Sequence, residues 1–134
     1  MNNRPKLQAI TERYTPLLLP VLYMSLIFFL SGRPAPEPLQ QMPVLFGMKL
    51  VHLLEYGLLA ILWFRGLRLV TTWSPCAVNL VAVAITFAWG ISDEIHQSFV
   101  PGRTARVEDA FTNLVAAVGA VWLWRLVHAI RKPL

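Results

Sequence analysis

Charge is what this sequence has least of. Asp, Glu, Lys and Arg make up 14% of its 134 residues, where a soluble domain carries roughly 25%. Cysteine is scarce too: Cys76 stands alone, which excludes an internal disulfide and a cysteine-based zinc cluster. There is no Gly-x-Ser-x-Gly elbow, no P-loop and no His-Glu-x-x-His pair, so the common signatures of serine hydrolases, nucleotide phosphatases and zinc peptidases are missing. No basic run interleaved with aromatics occurs, and nucleic acid is not an expected partner. What the chain has instead is apolar side chains, at 56%, with a mean hydropathy of +0.54. A small soluble domain leaves too much surface in water to hide that content, and a disordered chain would be polar.

The uncharged intervals explain the composition. Four stretches, at about 15–32, 44–64, 70–92 and 109–130, are long and apolar enough to cross a hydrocarbon core of ~30 Å. The expectation is an all-α, four-transmembrane-helix bundle with short loops, one domain over 1–134. The first stretch has the basic start and apolar run of a secretory signal peptide. Ser31-Gly32-Arg33-Pro34-Ala35-Pro36 is a poor cleavage site, so the stretch reads as an uncleaved span. The prolines of Arg33–Pro38 predict an extended loop after it.

The net charge is +5, and its distribution predicts orientation. Arg4, Lys6, Arg13, Arg65, Arg68, Arg125, Arg131 and Lys132 fall on one side; Arg33, Arg103 and Arg106 fall on the other. The excess of Lys and Arg on cytoplasmic loops predicts both termini inside, in a bacterial cytoplasmic membrane. Trp63, Trp73, Trp122 and Trp124 then fall near the cytoplasmic interface, where indoles prefer to sit.

Against this background the polar residues inside the spans stand out. Lys49, His52 and Tyr56 share one helical stripe, with Glu55 beside it. At 1.5 Å per residue from Val44, Lys49 lies roughly 8 Å and Glu55 roughly 16 Å into the span. Ionisable groups at such depth cost several kcal/mol unless they pair or meet water, and mark functional candidates. Pairing of Lys49 or His52 with Glu55, or snorkelling of Lys49, is the plainer alternative. In the third span Ala82, Thr86 and Gly90 form a stripe of small residues that continues into Glu94 and Gln97, predicting contact with a neighbouring helix. Asp109 and Asn113 lie one turn apart at the start of the fourth span, with Ala116 and Ala120 on the same face. There Asp109 can equally be a helix cap. Pro101-Gly102 signals a turn that presents Arg103, an anion-binding side chain, beside Asp93 and Glu94. The topology brings all of these toward the extracytoplasmic half.

These residues also carry a resemblance. Lys49-Leu50-Val51-His52-Leu53-Leu54-Glu55-Tyr56, the run Asp93-Glu94-Ile95-His96-Gln97-Ser98-Phe99-Val100-Pro101-Gly102-Arg103, and Asp109 with Asn113 leading to Gly119 resemble the motifs of the VanZ-like family. That family often has an Asp before the lysine; Met48 stands there in this chain. The resemblance implies a small integral membrane protein of the cell envelope, some of whose relatives are linked to reduced sensitivity to lipoglycopeptides such as teicoplanin.

Three functions are consistent with the sequence. In the first, the protein binds an anionic lipid or lipid-linked envelope precursor at the outer leaflet. Arg103 and Lys49 hold the anion; Asp93, Glu94, Gln97, Asp109 and Asn113 shape the site; His52, Glu55 and Tyr56 complete it. In the second, an intramembrane enzyme uses His52, Glu94 and Asp93 as acid and base. A metal-assisted form of it would draw on His52, Glu55, Asp93, Glu94, His96 and Asp109, although no metal-binding spacing is present and no cofactor is assigned. The third is a small proton-coupled transporter built around Glu55, which would need a second copy of the chain to enclose a pathway.

Overall fold

The computed structural model describes residues 11–33, 47–101, 103 and 105–130. The expected proline-rich loop, the start of the second span at 44–46, Gly102 of the turn, and the cations Arg4, Lys6, Arg131 and Lys132 lie outside the described residues. A 3-10 turn, Thr15–Leu17, leads into α1, Leu18–Ser31. Three longer helices follow: α2, Gly47–Val70; α3, Pro75–Gln97; and α4, Val107–Ile130. No strand occurs among the described residues. Four helical segments are long and apolar enough to cross a membrane: Thr11–Ser31, Lys49–Val70, Pro75–Gln97 and Val107–Ala129.

Two helices run past the ends that hydropathy predicts. α2 continues through Arg65 and Arg68 to Val70, where Thr71 closes it by donating both its N–H (3.0 Å) and its hydroxyl (2.8 Å) to the carbonyl of Leu67. Arginine is a good helix former, so charge ends the lipid-contacting stretch but not the helix. α3 starts at an unambiguous cap, Ser74, whose hydroxyl accepts the Ala77 N–H at 3.2 Å, with Pro75 in the first turn. It continues to Gln97 because the carboxylates of its last turn are buried against other helices, as described below. Asp93, Glu94 and Gln97 therefore project from a rigid helix, not from a loop.

α2 is the central element, with 44% of its apolar window buried against 17% for the segment containing α1. In lipid the hydrophobic effect does not hold helices together; close packing of small residues and interhelical hydrogen bonds do. The buried face of α3 is the stripe Val78, Ala82, Thr86, Gly90, Asp93, Glu94 and Gln97. One half of the bundle is packed by Ala60, Phe64, Leu67, Val78, Ala82, Ala117 and Val121. At that end Gly66 lets the chain approach closely: a Cβ there would stand 3.0 Å from the Pro16 carbonyl oxygen. Arg13, Arg65, Arg68 and Arg125 belong to this end, where Arg13 donates to the Val70 carbonyl at 3.4 Å and Arg65 lies over the Trp124 ring. Arg33 and Arg103 sit at the opposite end, linked by a hydrogen bond from Arg103 Nε to the Arg33 carbonyl of 2.9 Å.

The outward surface is studded with large apolar side chains, among them Leu22, Leu54, Leu80, Phe111 and Trp122. Hydroxyls on it fold back onto their own helix, as Ser25 does to Val21 and Thr112 to Glu108. Both features suit a surface without water to serve as a hydrogen-bond partner.

Candidate functional site

The end of the bundle that carries the α3–α4 connection is filled with polar side chains. Ser31, His52, Asp93, Glu94, Gln97 and Asn113 are all buried there. They divide into two groups on either side of α3's last turn.

The first group is a closed knot around Asp93, which is 2% exposed. Ser31, the last residue of α1, donates its hydroxyl to Oδ1. The Tyr56 hydroxyl from α2 donates to Oδ2 at 3.0 Å, and Gln97 donates its amide to the same oxygen at 2.9 Å. One carboxylate therefore ties three helices together and has little acceptor capacity left. Tyr56 is fully buried, so its hydroxyl has nowhere else to turn.

The second group is open. His52 of α2, Glu94 of α3 and Asp109 of α4 each offer one ligand atom, and these atoms lie within 4.8 Å of one another. His52 and Glu94 are buried and Asp109 is half-buried. Glu94 Oε2 accepts the backbone N–H of Arg106, just ahead of α4, at 3.2 Å, while Oε1 has no partner. His52 Nδ1 has none either. Asn113, fully buried, lies against the His52 ring, and neither of its amide atoms completes a well-formed hydrogen bond among the described residues. Asn113 gains its place from Gly90: a Cβ on that residue would stand 3.1 Å from the Asn113 Nδ2 and 3.2 Å from Tyr56 Cε1. Asp109 and the exposed Glu108 occupy the first turn of α4, where negative charge suits the helix dipole.

The remaining candidates lie around this pair of groups. Arg103 is half-buried and within electrostatic reach of His52, Glu55 and Glu94, but among the described residues its side-chain hydrogen bond goes to the Arg33 carbonyl. Lys49 and Glu55 are half-buried on α2, and no ion pair joins Lys49, His52 and Glu55 to each other. Self-neutralisation within α2 is thus not how the helix carries these groups. His96 stacks on Phe28 of α1, with ring centroids 4.0 Å apart, on the side away from the open group. Sequence reasoning missed Ser31. Its only signal was position: a polar residue closing an apolar run at the same end as Asp93.

Beside the open group, α3 and α4 frame a cleft of about 480 Å³. Its walls are almost wholly apolar, with Phe87, Ile91, Ile95, Val107 and Phe111, and Glu94 is part of its lining.

Four apolar helices around a polar knot and an open polar cluster define a multi-pass membrane protein with a polar site buried at one end of its bundle. Nearly the whole chain, residues 6–128, matches the family model described as VanZ/LLP1. The chain belongs to that family. No curated protein and no solved structure matches it.

Proposed function

We propose that the protein binds the anionic headgroup of a lipid or lipid-linked envelope precursor at the outer leaflet of the bacterial cytoplasmic membrane. The observation that carries this reading is the apolar cleft between α3 and α4 with Arg106 and Glu94 in its lining. Such a ligand is an amphiphile, and an apolar groove ending at a polar cluster matches its two halves. Arg103 is the anion-binding side chain, because its guanidinium has five donors and only Nε is bonded to a described residue, the Arg33 carbonyl. Lys49, which has no ion pair among the described residues, is the second cation. The segregation of Arg13, Arg65, Arg68 and Arg125 at the opposite end supports placing that end, and both termini, in the cytoplasm. Some relatives in the VanZ-like family that the sequence resembles are linked to reduced sensitivity to lipoglycopeptides such as teicoplanin, and a link of this protein to that trait is a proposal that drug susceptibility with and without the protein tests directly.

The deciding experiment is mass spectrometry of lipid retained by protein purified in native nanodiscs. A stoichiometric anionic lipid, reduced about tenfold by Arg103→Ala at unchanged folded yield, supports the reading. Retention of the same lipid by the Arg103→Ala protein ends it.

The unpartnered His52 Nδ1 near Glu94 favours a second reading, an intramembrane enzyme in which these two groups move a proton on a bound lipid. Appearance of a processed lipid in the nanodisc, lost in His52→Gln, separates turnover from binding.

A further inference from the structure

We infer that His52, Glu94 and Asp109 form a binding site for one divalent metal ion, with the Asn113 side-chain oxygen as an additional ligand. Three observations carry it. First, three ligand atoms from three different helices converge within 4.8 Å. With metal–ligand bonds of about 2.0–2.2 Å, neighbouring ligands of one tetrahedral ion stand about 3.3–3.6 Å apart, so side-chain rotations that move the ligand atoms by up to about an ångström close the set.

Second, polar atoms on the enclosed residues of this group have no hydrogen-bond partner among the described residues. His52 is 5% exposed, Glu94 7% and Asn113 0%; among the described residues Glu94 Oε1 has no partner, and Asn113 lies against the His52 ring without a well-formed hydrogen bond from His52 Nδ1 or either amide atom. Buried groups of this kind are normally satisfied, the more so where no water is at hand. An ion satisfies several at once.

Third, two carboxylates stand together with no Lys or Arg side chain bonded to either among the described residues. Arg106 reaches Glu94 only through its backbone N–H, and Arg103 is bonded elsewhere. A doubly charged cation removes that imbalance. The Arg106 N–H then acts as the outer support of a ligand, fixing Glu94 so that Oε1 turns to the ion.

The donor set sets the metal class. One imidazole with carboxylate and amide oxygens, and no thiolate, suits Mn²⁺, Fe²⁺, Co²⁺ or Zn²⁺ over copper or an all-oxygen calcium cage. Cys76, at the opposite end of α3, takes no part. Motif spacing does not reveal the site, because its ligands come singly from three helices. The inference stands on these side chains alone and does not require a bound headgroup.

Co²⁺ titration of chelator-stripped protein in detergent tests it through the visible d–d absorption of the bound ion. Saturable binding at one ion per chain is expected, displaced by Zn²⁺. Asp109→Asn, at a half-buried position where folding is least at risk, weakens binding by about tenfold or more, and His52→Gln does the same. Exposed Glu108→Gln leaves it unchanged. Absence of saturable Co²⁺, Mn²⁺ and Zn²⁺ binding overturns the inference, as does binding that neither Asp109→Asn nor His52→Gln weakens. Metal binding that survives Arg103→Ala while lipid retention is lost leaves the site standing and separates it from headgroup recognition.

Discussion

Asp93 and Glu94 are neighbours in sequence, both acidic, both buried, and they lead opposite lives. Asp93 turns toward α1 and α2 and is held by Ser31, Tyr56 and Gln97. Glu94 turns toward α4, takes one backbone N–H, and leaves an oxygen unbonded beside His52 and Asp109. One helical step of 100° separates architecture from a site. A membrane protein uses saturated polar groups to fix helices where apolar contact discriminates poorly. It leaves unsaturated ones only where something else completes them.

The largest effect expected from breaking this contrast is on stability at Asp93. Asp93→Ala strands the Tyr56 hydroxyl and the Gln97 amide in the bundle, at about 1–3 kcal/mol for each buried group left unsatisfied. Thermal unfolding in detergent should show the lowest midpoint of any variant at this end. Glu94→Gln, by contrast, keeps the acceptor for the Arg106 N–H and removes a charge that no described side chain hydrogen-bonds. Its midpoint should change by less than about 1 kcal/mol of stability. Equal losses from the two substitutions would erase the distinction between knot and site.

Next in size is Tyr56→Phe, which deletes one of the three bonds to Asp93 and leaves the ring in place. Hydrogen bonds to charged groups contribute about 1.5–3 kcal/mol. A loss in that range, alongside unchanged Co²⁺ binding, would sharpen the comparison, since the ring stacked on His52 is retained.

Much of the fold was legible in the uncharged runs, and the end-points were less so. Hydropathy measures contact with lipid, whereas helix ends follow caps and hydrogen bonds, so Val70 and Gln97 lay beyond the predicted limits. The site was legible as a set of residues. Periodicity placed His52 with Tyr56 on α2 and Glu94 on the buried stripe of α3. What the sequence could not express is how Asp93 and Glu94 divide the work. That division depends on Ser31, 62 residues distant, and on the Arg106 backbone, neither of which any local pattern marks. The distinction is tertiary: it exists only once α1 closes on one side of α3 and α4 on the other.

Gly90 lies between the two groups, and Gly90→Ala probes both. The added methyl meets Asn113 at 3.1 Å and the Tyr56 ring at 3.2 Å, so each must move by a few tenths of an ångström. Overpacking of this kind costs about 1–3 kcal/mol, against a helix-propensity gain of about 1 kcal/mol for replacing glycine. The net is a modest loss in the unfolding midpoint. A neutral result would mean that Asn113 has room to yield.

The smallest effect belongs to Gly119→Ala. It lies on the same helix as Asn113, but nothing stands within 4 Å of where its Cβ would be. The residue is exposed on the outward surface, so the methyl meets only solvent or lipid. Helix propensity is then the one term left, and it favours alanine by up to about 1 kcal/mol. A slight rise in the unfolding midpoint, with lipid retention and Co²⁺ binding unaltered, is the expected outcome. A loss of folded protein instead would show that this face of α4 is covered, and a second copy of the chain, detected as a dimer in the detergent complex that Gly119→Ala dissociates, would be the cover to test.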